Sequence, residues 1–269
     1  VAAEEGTAVE AVPEGGSVIL NADDGRVLAM AARTKARVLT FGFSPKADLK
    51  ARAIETESAM GTYFTRFEIW STGGRSLPVT LSGAIGDGNV YAALAAAAVA
   101  KALGVSDELI PYGLAEYQPP PGRLRLLAGR GGAFIIDDTY NSSPRAAELA
   151  LKTLAGLSAG QTGRKMAVLG DMLELGEMTE ESHRRVGTAA AASGLDLLVC
   201  VGPKSRTLCQ EAVKNGMHEK SVLHFGSAEE AGHFLHDKIT SGDRLLIKGS
   251  RGMRMEKAVK ILMADPSLY

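Results

Sequence analysis

From Arg164 onward the chain alternates short apolar runs with stretches whose apolar residues recur at helical spacing. Lys165–Gly170 (KMAVLG), Asp196–Gly202 (DLLVCVG), Ser221–Gly226 and Asp243–Gly249 (DRLLIKG) read as strands. Thr179–Ser193, Ser205–Asn215, Ala228–Thr240 and Met253–Ala264 read as helices, with Thr179 as a candidate N-cap and Ser182 inside the first. The strands are continuous apolar runs rather than alternating ones. That is the pattern of a parallel sheet covered by helices on both faces.

The first half is more mixed. Ser17–Asn21 (SVILN) and Arg37–Phe41 (RVLTF) read as strands around a short helix near Asp24–Ala32. Leu49–Thr56 and Tyr63–Ser71 alternate and predict an antiparallel excursion. Asn89–Leu103 is an Ala-rich helix, and Ser106–Ala115 a second one that Ser106 would cap. Leu124–Leu127 and Ala133–Asp137 form a hairpin, followed by a helix over Ser143–Ser158 with Pro144 at its first position. The small polar stretch Ser158–Gly163 (SAGQTG) reads as the domain boundary and hinge, giving domains over residues 1–160 and 164–269. The fold class is α/β: a mixed sheet with helices, then a Rossmann-like parallel α/β domain.

Composition narrows the function. The 269 residues carry 30 Lys and Arg against 31 Asp and Glu, a net charge of −1, which leaves no electrostatic footprint for nucleic acid or an anionic membrane. Hydrophobic residues make up 45% of the chain, enough for a packed core and against a disordered chain. The longest apolar run, Val90–Ala100, ends at Lys101 and falls short of the roughly 20 residues that a membrane span needs. Cys200 and Cys209 are too few for a disulfide scaffold and point to a reducing, cytoplasmic setting. The acidic N-terminus, with Glu4 and Glu5, does not look like a signal peptide.

Four constellations could carry chemistry. Asp137-Asp138-Thr139-Tyr140-Asn141 follows a strand, at the edge where α/β sheets bind ligands. Asp138 could hold ribose hydroxyls; the alternative is a turn with an N-cap. Asp171 and Glu174, in a second loop after a strand, could orient substrate or cap the next helix; His183 lies on that helix and could be catalytic or structural. Lys248-Gly249-Ser250-Arg251-Gly252 offers two cations and a hydroxyl to a phosphate or carboxylate, or is a basic surface turn. Asn89 could meet an adenine edge or cap its helix, and Arg123 could stack on a ring or neutralise phosphate. No zinc-ligand spacing and no Ser-His-Asp arrangement is visible.

The stretches VILNADD (Val18–Asp24), GNVYAALAAAA (Gly88–Ala98), PPPGRL (Pro119–Leu124), IIDDTYNSSP (Ile135–Pro144), AVLGDMLELGE (Ala167–Glu177) with His183, and LLIKGSRGMRME (Leu245–Glu256) resemble, in order and spacing, the Mur ligase family of peptidoglycan synthesis. The D-D-T-Y-N and G-D-M-x-E-L-G stretches favour the branch that joins D-alanyl-D-alanine to a UDP-N-acetylmuramoyl-tripeptide. The resemblance implies ATP and Mg2+, phosphorylation of a carboxylate, and attack of an amine on the acyl phosphate. By motif match it assigns Asn89, Arg123, Asp138 and Asn141 to the nucleotide. It assigns Lys248 and His183 to catalysis, and Asp171, Lys248, Ser250 and Arg251 to substrate; no metal ligand is assigned.

The family's glycine-rich G-T-x-G-K-[ST] loop is not in this sequence, nor is its UDP-binding N-terminal domain. The expectation is therefore the later part of a central domain plus a complete C-terminal domain, inactive alone, with the missing N-terminal part of the same ligase as partner. The family's metal-holding modified lysine would fall near Glu5. Two alternatives stand beside this. One is a related protein that binds a nucleotide or partner without catalysis. The other is a dinucleotide-binding oxidoreductase domain, although its G-x-G-x-x-G fingerprint is absent.

Overall fold

A computed structural model describes residues 2–59, 62–72, 76–157 and 163–269. The chain divides into two units, Val1–Tyr117 and Gln118–Tyr269.

In the first unit, α1 (Ala2–Glu10) precedes β1 (Ser17–Asn21). A four-residue α2 (Gly25–Leu28) and a 3-10 turn (Ala29–Arg33) occupy the stretch read as one helix. The sheet continues through β2 (Arg37–Gly42), β3 (Leu49–Ala59), β4 (Thr62–Ser71) and β5 (Ser76–Ser82), adjacent in chain order. The first three strands run parallel and β3, β4 and β5 are antiparallel. Along β4 the period of two turns Tyr63, Thr65, Phe67 and Ile69 inward. The Ala-rich α3 (Asp87–Ala102) lays Val90, Leu94, Ala97 and Ala98 on Phe67, Ile69, Val79 and Leu81. Small side chains let the helix approach the sheet closely, and Ile110 and Leu114 of α4 (Leu109–Ala115) complete that core. Ser106 does not cap α4 with its side chain; the helix starts three residues later and Glu108 holds the N-cap position without a side-chain bond.

The second unit holds a six-stranded sheet. Its strands are β6 (Arg125–Ala128), β7 (Phe134–Asp138), β8 (Lys165–Gly170), β9 (Leu197–Val201), β10 (Val222–Phe225) and β11 (Arg244–Lys248). The spatial order is β10-β9-β8-β11-β7-β6, all parallel except the edge strand β6. The helices are α5 (Pro144–Gly156), α6 (Thr179–Ala191), α7 (Ser205–Lys214), α8 (Ala228–His236) and α9 (Glu256–Leu262). Leu235 of α8 and Val259 and Leu262 of α9 bury Ile135, Val168, Val199 and Ile247 on one face, while α5, α6 and α7 pack in a row.

The hinge expected at Ser158–Gly163 lies, apart from Gly163, outside the described residues. The hairpin β6–β7 and α5, read as the end of the first domain, belong to the second unit, because β7 pairs in parallel with β11. Thr179 opens α6 but does not cap it: its hydroxyl donates to the Gly176 carbonyl, and Met178 stands at the N-cap. The two cysteines form a disulfide between β9 and α7. Among the described residues no helix is long and apolar enough to cross a membrane.

Candidate functional site

Parallel register brings three of the four motifs to one edge of the second sheet. Lys248 at the end of β11 stands opposite Asp138 of β7 and Leu169 of β8, and Gly170 stands opposite Val201 of β9. The loops that leave these strand ends form the candidate site, where α/β sheets bind ligands.

Most of the motif residues at this edge hold one another. The Lys248 ammonium is 3% exposed and donates to Asp138 Oδ2 at 2.6 Å and to the Asn141 carbonyl at 2.9 Å. Burial pushes the Asp138 carboxyl above the ordinary carboxylate range, against the pull of Lys248. Asn141 itself is exposed, and its Oδ1 accepts the Ser142 N–H at 2.8 Å. Asp137 is fully buried and accepts from the Gly122 N–H at 2.8 Å and the Thr139 hydroxyl at 2.6 Å. Gly122 has φ +75°, and a Cβ there would stand 2.7 Å from the Tyr140 backbone N, so only glycine lets this turn close on the Asp137–Tyr140 loop.

The second and third motif loops are tied in the same way. The Asp171 carboxylate is buried and receives the Ser205 N–H at 2.7 Å and the Lys204 N–H at 3.2 Å, capping α7. Its carbonyl accepts the Ser250 N–H at 3.1 Å, and Ser250 Oγ accepts the Leu173 N–H at 2.9 Å. His183 is fully buried: Nε2 accepts the Met172 N–H at 3.1 Å, and Nδ1 then donates to the Thr179 carbonyl at 2.7 Å. Both ring nitrogens are engaged with backbone, so this histidine pins the Asp171–Leu175 loop to α6.

What faces the open space is different. A cavity of about 570 Å3 is lined by Gly122, Thr139, Tyr140, Arg251, Arg254 and Tyr269, among others. The Arg123 guanidinium lies 3.9 Å from the Tyr140 ring centre and that of Arg251 5.4 Å from it. Both arginines are exposed, and the ring is 43% exposed. Arg254 is also exposed and pairs at 3.6 Å with Glu256, which lines the cavity too. Among the described residues, four that are not glycine have positive φ, and three of them, Leu124, Glu174 and Arg254, sit on loops of this edge. Such strain persists where the surroundings over-determine a loop, commonly at ligand sites. Tyr269 places its hydroxyl 3.4 Å from Thr139 Oγ1, and burial pushes its ionisation up to about 12.

Asn89 belongs to the first unit and is described there alone. It sits inside α3 rather than at its cap, donating from Nδ2 to the Ile85 carbonyl at 2.8 Å and accepting the Tyr117 hydroxyl at 3.0 Å. Glu5 is exposed on α1. No group of three or more His, Cys, Asp or Glu among the described residues is placed to hold a metal ion. The sequence reading gave no role to Tyr140, Arg254, Glu256 or Tyr269, although the first three lie inside the motifs it quotes. An aromatic residue embedded in the polar DDTYNSS loop was the one signal available for Tyr140.

The chain is similar to known proteins along nearly its whole length. The Mur ligase middle domain matches residues 1–100, and the Mur ligase glutamate ligase domain matches residues 122–251. The UDP-N-acetylmuramoyl-tripeptide–D-alanyl-D-alanine ligase of Escherichia coli is 32% identical over 98% of this chain and 56% of its own length. The Bacillus subtilis ligase of that name is 30% identical over 84% of this chain and 47% of its own. Among solved structures, MurF from Acinetobacter baumannii superposes with a TM-score of 0.76 at 31% identity, over 94% of this chain and 53% of that one. The chain thus spans about half the length of these relatives. Two matched domain models, and the α/β sheet whose strand ends carry the motifs, place the chain in the Mur ligase family.

Proposed function

We propose that this chain provides the acceptor side and part of the nucleotide site of an ATP-dependent ligase that joins D-alanyl-D-alanine to a UDP-N-acetylmuramoyl-tripeptide. The observation that carries this reading is the pair of exposed arginines, Arg123 and Arg251, against the Tyr140 ring, with Tyr140 and Arg251 lining an open cavity at the ligand-binding edge of the sheet. Carboxylate oxygen is a poor leaving group, and phosphorylation by ATP makes it a good one. The anions involved need fixed positive charge in a shaped, partly dry site. Arg123, Arg251 and Arg254 supply that charge locally on a chain whose net charge is −1.

In this reading Arg123 and Arg251 meet anionic groups of nucleotide or substrate, and the Tyr140 ring offers a flat apolar face. Lys248, Asp138, Asn141, Ser250, Asp171 and His183 act behind them, holding the three loops in register. The described residues do not by themselves fit a magnesium site. A cytoplasmic location, where nucleotide-linked precursors are made, goes with this function.

Phosphate release in the presence of ATP, UDP-N-acetylmuramoyl-tripeptide and D-alanyl-D-alanine tests the reading. The chain alone, without a glycine-rich phosphate loop, is expected to release none. Supplying the N-terminal half of a relative, fused in frame, is expected to give release that requires both substrates and falls at least about tenfold in Arg251→Ala. Release indifferent to D-alanyl-D-alanine, or heat on titration with NAD but not with ADP, would turn the reading towards another function.

A further inference from the structure

Cys200 and Cys209 are the chain's only cysteines, and none of the ligase chemistry uses them. Cys200 is on β9 and Cys209 on α7, nine residues on, with Cα atoms 6.2 Å apart, within the span that a disulfide bridges. We infer that this pair is a reversible redox modification site, and that its closed state steadies the loops of the candidate site.

The coupling is visible in the packing. The disulfide closes the β9–α7 crossover into a ring. That crossover supplies the Lys204 and Ser205 N–H groups that Asp171 receives. Asp171 in turn receives the Ser250 N–H from the loop that carries Arg251. Gly202, at the apex of the crossover, is so close that a Cβ on it would stand 2.6 Å from Met253 Cε and 2.7 Å from Asp171 Cγ. Loosening the crossover therefore acts directly on the loop that bears Arg251 and Arg254.

Both redox states have a place in the fold. Cys209 Sγ lies 3.4 Å from the Leu223 carbonyl oxygen, which accepts from the thiol once the bond is reduced. Cys200 is fully buried and Cys209 retains 9% exposure, which fixes the order of events. The Cys209 thiolate attacks a small disulfide such as glutathione disulfide, forming a mixed disulfide and releasing one glutathione. The Cys200 thiolate then attacks the Cys209 sulfur and releases the second. Two cysteine thiols and one glutathione disulfide become one internal disulfide and two glutathione thiols.

The test uses the whole chain, equilibrated with glutathione disulfide or with dithiothreitol. Intact mass is expected to differ by about 2 Da between the two, with no free thiol in the first. Hydrogen exchange is then followed in each state. On reduction, the Lys204, Ser205 and Ser250 amides are expected to exchange faster, by up to about 100-fold, the limit set by opening a ring of this size. In Cys200→Ala, glutathione is expected to remain on Cys209, and in Cys209→Ala none is expected on Cys200. Two free thiols persisting in excess glutathione disulfide would overturn the site. Acceleration confined to the crossover, with Ser250 unchanged, would overturn the coupling, and equal trapping on both cysteines the order of attack.

Discussion

Replacing Lys248 with methionine keeps an aliphatic stem of similar length and removes the cation that faces Asp138. The lysine is 3% exposed and the aspartate side chain 13%, so water cannot take over the 2.6 Å contact. Removing one partner of a buried ion pair costs about 3–5 kcal/mol, because the other charge stays desolvated. The Asn141 carbonyl loses its ammonium donor as well. For a unit of this size the loss corresponds to a fall in Tm of roughly 6–20 °C. The pH dependence follows from the direction of the Asp138 shift. Burial raises its folded value above the unfolded one, even with Lys248 present. Its contribution to stability is therefore complete below the unfolded value and is lost as pH rises through the raised one. Without Lys248 the folded value rises further, and the window of loss extends towards neutral pH. Circular-dichroism melts between about pH 5 and pH 8 should show the Lys248→Met deficit largest at the alkaline end and shrinking as the carboxyl takes up its proton. Adding Asp138→Asn to Lys248→Met should recover most of the deficit at high pH. A deficit below about 1 kcal/mol, the scale of an exposed pair, or one independent of pH, would refute the buried pairing.

Three further outcomes follow from other parts of the site. His183→Ala strands the buried Met172 N–H and the Thr179 carbonyl, and should cost about 1–3 kcal/mol in denaturant unfolding. Tyr140→Ala removes the ring shared by Arg123 and Arg251, and should weaken ADP binding about 2–5-fold by calorimetry with little change in Tm. Tyr269→Phe should abolish the phenolate absorbance step near pH 12 in an alkaline titration, since burial pushes that hydroxyl highest.

The parallel sheet was legible because its strands are continuous apolar runs, and β8 and β11 are buried at nearly every position. The placement of β6 and β7 was not legible. Whether a hairpin joins the sheet before it or after it depends on pairing with β11, more than a hundred residues on in the case of Lys248 and Asp138. Local propensity carries no record of such a partner. The site was half legible for a related reason. Asp171, Ser250 and Lys248 are residue types that serve a ligand or anchor a loop equally well. Only burial and hydrogen-bond partners separate the two uses. Tyr269 lay outside every quoted motif, and Arg254, inside one, reaches the cavity through a left-handed turn that the motif does not reveal.

The separation between holding and contacting residues has a physical consequence for the ligase reading. An arginine on a free loop would lose much of its binding energy to side-chain ordering, and its charge would be screened by water. Here the backbone behind each arginine is fixed. Arg123 follows Gly122, whose N–H is held by the buried Asp137 carboxylate. Arg251 follows Ser250, whose N–H and Oγ are both engaged. Lys248, three residues earlier, locks the strand end to the loop that carries Tyr140. The buried Lys248–Asp138 pair thus helps keep the two guanidinium groups and the Tyr140 ring in fixed relation. Charge that need not reorganise when an anion forms is the kind that lowers a barrier, so substitutions in this buried layer should reduce turnover even though none of these side chains lines the open cavity.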